Sequence, residues 1–376
     1  QGAASSGGDP AAAAAARQTA TSLLQFILPA YMAQLAEEVN REVLASVCEG
    51  VCEIAKACFY SGGTDDATGV ERAPTIVVPA AHTLKICQAV CKNITEGAKR
   101  RVEMLEEAQR EGFDEEDMET LQEQLELEHE DMEMLVDAHG YLLKQHKHGF
   151  LPVFNQVSAA CFQPLLQEQM PAELRWIAVC AYDDLIEHCG PQAAQQHLSA
   201  FVGPLLSAAA SPDTMLRQAA VYGVRVVAEN CPQQFPQLLS PALNVLAKLT
   251  SAADAREGEN SGPTENAVAA LGSIVKLYGA SHPAQVPAAH ILPQWLSQLP
   301  LKEDEECAQM AHEHLVLFVE QGEPTLCGGQ HAGHVRQVFG QILASENAGG
   351  GGGEDAVVLA TPHVMQRIRA QLQRMV

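Results

Sequence analysis

The feature that most constrains this chain is a pattern written twice. Glu173–Gly190 reads ELRWIAVCAYDDLIEHCG, and Thr214–Pro232 reads TMLRQAAVYGVRVVAENCP. Arg175 answers Arg217, Ala178 answers Ala220, Val179 answers Val221, Glu187 answers Glu229 and Cys189 answers Cys231, each pair 42 residues apart. That period belongs to two-helix solenoid repeats, in which one pair cannot bury its apolar face alone and stacks on its neighbours. Aromatic residues make up 5% of the chain while hydrophobic residues make up 47%. The apolar content is therefore mainly Ala, Leu and Val, which suits helices stacked at close distance.

Helix patterning extends the plan in both directions. Residues 1–20 read as a flexible N-terminal segment, with helix from the alanine run onward at the earliest. Helical repeats follow over 21–102. The first carries Leu24, Ile27 and Leu28 on one side, and Pro29 marks an end or a kink. A longer helix is expected over Gln34–Phe59, with Leu35, Val39, Val43, Val47, Val51, Ile54 and Phe59 at three- and four-residue steps. Residues 103–136 form an acidic helical segment. Repeats resume over 137–345, with second helices expected at Ala172–Cys189, Thr214–Asn230, Glu265–Tyr278 and Asp304–Gln321. A Gly-rich linker (346–357) precedes a terminal helix (358–376) with Pro362 in its first turn. The chain starts without Met, as a fragment or processed product would.

Between Glu103 and Glu133 stand fifteen acidic residues and one basic residue, Arg110, in a chain of net charge −24. Gly112–Phe113–Asp114 reads as a break, after which Asp114 caps a helix and Asp117 holds the capping-box position. Met118, Leu121, Leu125, Met132 and Leu135 form an interrupted apolar stripe, so the segment is no featureless acidic tail. Two compatible readings follow: the wet face of a long helix, and an acidic surface for a basic partner. The same charge argues against a nucleic-acid backbone as partner.

Eleven cysteines, an odd number set within apolar stretches, do not make a disulfide framework. Cys48/Cys52 and Cys87/Cys91 are spaced to share a helix face but lack a turn that would present them to zinc, so they read as buried small hydrophobes. Reduced thiols fit a cytosolic or nuclear compartment. No run of 18 apolar residues exists, so no membrane span is expected. Asn93-Ile94-Thr95 matches a glycosylation sequon and is expected to be idle.

Asp183, Asp184, Glu187 and His188 suggest acid–base or metal chemistry, yet one helix supplies no second ligand set. His312-Glu313-His314 lacks the spacing of a zinc-protease helix, and Gly349–Gly353 lacks the Lys-Ser/Thr of a phosphate loop. The expectation is no enzyme, no cofactor and no metal. Arg175 and Arg217 are expected to bridge repeats or satisfy helix-terminal carbonyls. Trp176, Trp295, Tyr182 and Tyr222 are read first as helix core.

RWIAVCAYDDLIEHCGPQAAQ (Arg175–Gln195), the stretch from Ser211, TENAVAALGSIVKLYG (Thr264–Gly279) and ILPQWLSQLPLKEDEECA (Ile291–Ala308) resemble, in this order, the C-terminal region of importin-beta-type nuclear transport receptors. The resemblance is strongest over Asp137–Gln321. It implies an all-α HEAT-repeat superhelical solenoid that binds protein cargo for passage through the nuclear pore and moves between cytoplasm and nucleus. Release is governed by Ran-GTP in the full-length receptor, and the family's main Ran-binding repeats lie outside the matched region. Implied partners are basic proteins such as ribosomal proteins or histones, with nucleoporins as further partners and no direct nucleic-acid or membrane contact. Ser211 stands where the repeat pattern often has Asp, which weakens one polar ladder between repeats. Candidate partner-binding residues are Asp114, Glu115, Glu116, Asp117, Trp176, Asp183, Asp184 and Glu187. The competing expectation is a scaffold subunit with the same repeat plan.

Overall fold

A computed structural model describes residues 10–38, 40–63, 72–108, 114–329, 331–348 and 357–375. Among them every regular element is a helix. The chain divides into two compact units, residues 1–190 and 191–376.

The first unit holds α1 (Pro10–Glu37), α2 (Arg41–Phe59), α3 (Ala80–Glu107), α4 (Glu115–His146), the short α5 (Leu151–Val153), α6 (Ala159–Leu165) and α7 (Ala172–His188). A π-turn at Phe154–Ser158 joins α5 to α6. α1 pairs with α2, α3 with α4, and α6 with α7, while α2, α4 and α7 pack one on the next as a row of second helices. The helices are fixed by local chemistry. Asp114 accepts a hydrogen bond from the Asp117 backbone N–H (3.0 Å) and Asp117 accepts one from the Asp114 N–H (3.2 Å), which is the expected capping box. Lys144 and His146 lie at the opposite, carbonyl end, where the helix dipole favours cations.

The expected helix over Gln34–Phe59 is two helices. α1 runs through Pro29 to Glu37, and α2 restarts behind Asn40, whose side chain accepts from Val43 N–H at 3.2 Å. The restart resets the helical register. Val43 turns outward at 43% exposure, while Leu44, Cys48, Ala55 and Cys58 take the core side with Val47 and Val51. Val39 and the Gly112–Phe113 break lie outside the described residues. Met118, read as part of the buried stripe, is half exposed in the first turn of α4. From Leu121 onward the stripe is buried, through Leu125, Met132 and Leu135.

The second unit holds α8 (Pro191–Ala208), α9 (Thr214–Asn230), α10 (Leu239–Ser251), α11 (Ser261–Tyr278), α12 (Ala288–Ser297), α13 (Glu305–Glu320), the short α14 (Pro324–Cys327), α15 (His331–Ala348) and α16 (Pro362–Arg374). First helices α8 and α10 are neighbours, as are α12 and α15. The second helices α9, α11, α13 and α16 form a continuous row. This two-layer stack of helix pairs is a HEAT-repeat-like solenoid. The largest core side chain is Trp295, 1% exposed, with its indole N–H donated to the Val268 carbonyl at 2.8 Å. Tyr182 is wholly buried as well, so both fill the core role read for them.

A polar ladder crosses the row of second helices. Arg225 of α9 lies over the Tyr222 ring (4.5 Å), meets Glu229 at 3.4 Å and reaches Glu306 of α13 at 2.9 Å. Ser273 of α11 donates to Glu229 at 2.7 Å. Arg217 bridges repeats as expected, and the carbonyls it satisfies are those of the turn before α9. It donates to the Ser211 and Pro212 carbonyls (2.6 and 3.0 Å) and to Asn260, in the turn before α11 (2.6 Å). Its counterpart Arg175 makes no matching set, and its Nη2 is buried without a hydrogen-bond partner. The missing Asp at position 211 costs α9 no cap, because Asp213 accepts from the Leu216 N–H at 2.8 Å.

Candidate functional site

The acidic segment is a face of α4 and not a tail. Leu121, Leu125, Met132, Leu135, Leu142 and Leu143 are buried, while Glu116, Asp117, Glu119, Glu123, Glu126 and Glu130 are exposed. An α-helix separates these sets because three- and four-residue steps return to one side. Asp114 is exposed beside them. Glu115 opens the helix, but its side chain lies outside the described residues.

Basic residues of α3 hold this face in place. Arg100 meets Glu128 through two contacts, Nη2–Oε1 at 2.7 Å and Nε–Oε2 at 3.3 Å. Buried Arg101 donates to the Leu125 carbonyl of α4 and to Glu173 of α7, each at 2.7 Å. Gly97 admits the pairing, since a Cβ there would stand 2.5 Å from Glu128 Oε1 and 3.2 Å from Met132 Sδ. Asn93, the sequon residue, is buried and donates to the Leu35 and Ala89 carbonyls at 2.9 Å, so its amide is committed to packing.

The candidates on α7 lie elsewhere and differ among themselves. Asp184 pairs with Lys144 at 3.2 Å and lies 3.8 Å from His188, and His188 lies 3.9 Å from Glu187. Gly140 of α4 permits the approach of Asp184, whose Oδ2 would stand 2.4 Å from a Cβ at that position. Burial raises the Asp184 pKa against the pull of Lys144. Burial also works against the Lys144 ammonium, but the Asp184 carboxylate outweighs it and the net shift is upward. Glu187 and Trp176 are half-buried, with the Trp176 ring 5.5 Å from that of His129. Asp183 is corrected from a surface candidate to an interior residue at 3% exposure. α7 packs against both α4 and α6, which leaves little of its circumference to solvent. The structure therefore brings the α4 acids onto one open face, with Trp176 of α7 against His129 of the same helix and Asp184 at its far end on Lys144.

Sequence reasoning missed two buried groups. Glu265, 1% exposed, accepts from the backbone N–H groups of Lys302, Glu303 and Asp304 at 2.8–3.0 Å. His139, wholly buried, has its Nε2 2.8 Å from Ser158 Oγ, amid the rings of Phe150, Phe154 and Phe162. For His139 the signal was a titratable residue inside an apolar helical run; Glu265, between Thr264 and Asn266 near the start of α11, carried none. Among the described residues no group of three or more His, Cys, Asp or Glu side chains is placed to hold a metal ion. No helix among them is long and apolar enough to cross a membrane. The paired cysteines Cys48/Cys52 and Cys87/Cys91 are all buried, and burial raises the Cys52 thiol to about 11.

Stacked helix pairs, one of them with an acidic face, define a helical-repeat protein. Residues 69–167, which contain α4, match the family model described as Importin repeat 6. The chain is 29% identical to importin subunit beta-3 of Saccharomyces cerevisiae over 150 residues, 40% of this chain and 13% of that protein. It is 26% identical to a probable importin-5 homolog of Dictyostelium discoideum over 176 residues, 46% of this chain and 16% of that protein. In fold it is similar to Kap121p bound to Ste12p, with a TM-score of 0.65 and 17% identity, over 94% of this chain and 28% of that one. Kap121p bound to RanGTP gives a TM-score of 0.61 at 16% identity, over 95% of this chain and 30% of that one. Parts of the chain are thus similar in sequence to importins, and nearly all of it is similar in fold to Kap121p. It matches less than a third of the length of each of these relatives.

Proposed function

We propose that this chain is the C-terminal HEAT-repeat part of an importin-5-like nuclear import receptor, and that it binds basic protein cargo. The observation that carries the reading is the position of the acidic face. Its exposed carboxylates lie on α4, inside the stretch that matches an importin repeat. Kap121p, of similar fold, has been crystallised with Ste12p, with Pho4p, with Ulp1p, with the nucleoporin-named Nup53p and with RanGTP. By that analogy the whole receptor takes up protein in the cytoplasm and gives it up to Ran-GTP in the nucleus, with nucleoporin contacts during passage. Ribosomal proteins and histones are the proposed cargo class, because a dense anionic face attracts basic proteins within about a Debye length of it.

Binding of purified core histones and of a basic ribosomal protein, measured by titration calorimetry at low and physiological salt, tests this. Changing Glu116, Glu119, Glu123, Glu126 and Glu130 to Gln should weaken binding by about tenfold or more at low salt and flatten its salt dependence. These side chains are exposed, so the fold should survive the change. Unaltered affinity would remove the acidic face from cargo binding.

A further inference from the structure

Beside the acidic face runs a groove of about 490 Å³ between α2, α3 and α4. Its apolar lining comes from Ala45, Met104 and Leu127, with Gln124, Arg100 and Asp131 at its edges. Leu127 is 60% exposed although it stands in the middle of a long, well-packed helix. An aliphatic side chain left in water there forgoes the stabilisation that burial would give. Several acids stand around this floor. Glu123 and Glu130 lie one helical step from Leu127 on the side away from Glu128, and Glu103 and Glu107 share the Arg100–Met104 face of α3; all four are exposed. Glu49, four residues after Ala45 on α2, is exposed as well. The one cation among the lining residues, Arg100, is already engaged by Glu128.

We propose that this groove is a docking site for a basic amphipathic segment of a protein partner. An aliphatic side chain of the partner enters between Met104 and Leu127, and its lysines or arginines face Glu103, Glu123 and Glu130. The inference deepens the cargo-binding reading and rests on it. It adds that recognition is not by charge alone: the apolar floor selects among basic segments those that carry an aliphatic anchor. A second copy of this chain fits poorly as occupant, because its net charge of −24 would meet an equally anionic rim.

The experiment uses the whole chain and two fluorescein-labelled peptides of equal charge. One has leucines at i, i+4 spacing on a lysine-rich background, and the other has serine in place of each leucine. Fluorescence anisotropy is read against the wild type and against Leu127→Asp, an exposed substitution that removes the anchor while adding negative charge. The leucine peptide should bind the wild type more tightly than the serine peptide. Leu127→Asp should cost the leucine peptide about tenfold, on the scale of one buried aliphatic side chain, and leave the serine peptide unchanged or slightly tighter. Equal binding of the leucine peptide to both chains would overturn the groove. If histones bind in an acid-dependent way but the leucine peptide binds no better than the serine peptide, the groove falls and the cargo reading stands. If neither peptide nor histone binds, both fall. A concentration-dependent dimer by light scattering, lost in Leu127→Asp, would assign the surface to a second copy and overturn the proposal.

Discussion

Replacing Glu265 by alanine should destabilise the second unit by about 2–3 kcal/mol, the cost typical of leaving part-buried donors without their acceptor. Oε1 accepts from the Lys302 N–H at 2.8 Å and from Arg256 Nη1 at 3.1 Å, while Oε2 accepts from the N–H groups of Glu303 and Asp304 at 3.0 and 2.9 Å. Consecutive N–H groups converging on one carboxylate form an anion-binding turn. That turn leads directly into α13, whose cap is Asp304, accepting from the Cys307 N–H at 2.9 Å. A helix–helix junction thus depends on one side chain reaching from α11. Alanine would leave three part-buried N–H donors without their acceptor, while Arg256 would keep its bonds to Gln298 Oε1 and the Gln298 carbonyl. Glutamine should recover part of the loss, since its oxygen still accepts while its NH2 faces the turn's donors. Urea denaturation followed by hydrogen exchange across residues 298–320 measures both. A loss below about 1 kcal/mol for Glu265→Ala would show that the turn is held by its flanks instead.

That junction also shows where sequence stops informing. The doublet was legible because the register it sets is local: Ala172–His188 and Thr214–Asn230 are both 17 residues long, and their first residues keep the 42-residue spacing. Ala178 and Ala220 are both fully buried, Val179 and Val221 nearly so, and Cys189 and Cys231 are buried at their ends. Apolar periodicity reports such contacts faithfully, because any neighbouring helix of the right shape satisfies them. Polar partnerships do not behave this way. Arg175 and Arg217 are equivalent in sequence, yet Arg217 finds Asn260 and Arg175 Nη2 finds no acceptor, because the partner belongs to a loop with no counterpart in the first copy. The restart of the helix behind Asn40 was likewise missed. A capping asparagine in a run of good helix formers is a weak signal until the chain on both sides is packed. Of the candidate site, the capped start of α4 was legible from Asp114 and Asp117, and burial of Asp183 was not, because it depends on how closely α4 and α6 approach α7.

Acid should unfold this protein well before its carboxylates are all protonated. Three histidines are buried in the neutral form. Burial lowers His139 to about 3, and lowers His312 to about 4 against the help of its bond to the Leu359 carbonyl. Burial, reinforced by the Lys276 ammonium, lowers His314 to about 3. The tautomer of His312 is fixed by its neighbours, since Nε2 accepts from the Leu301 N–H at 3.1 Å and the Nδ1–H donates to Leu359 O at 2.6 Å. Protonation would turn that acceptor into a donor facing a donor. Each folded pKa lies below the unfolded value near 6.5, so the stability tied to these groups is complete above that pH and is lost as pH falls toward 3–4. At pH 5 the loss is about 2 kcal/mol per histidine, from the difference between pH and the unfolded pKa. His146 and His188 in the first unit and His197 in the second are lowered by burial as well, so both units should lose stability in acid. In the first unit Asp184 works the other way, because burial raises its pKa and its contribution is present in acid and lost as pH rises. Urea titrations at pH 7.5 and pH 5, with fragments of each unit tracked by hydrogen exchange, read the two losses separately. Replacing His139 with leucine should lower stability at pH 7.5, by breaking the Ser158 contact, and remove most of the acid sensitivity of residues 115–165. If that region stays as acid-sensitive without the imidazole, His139 is not its source.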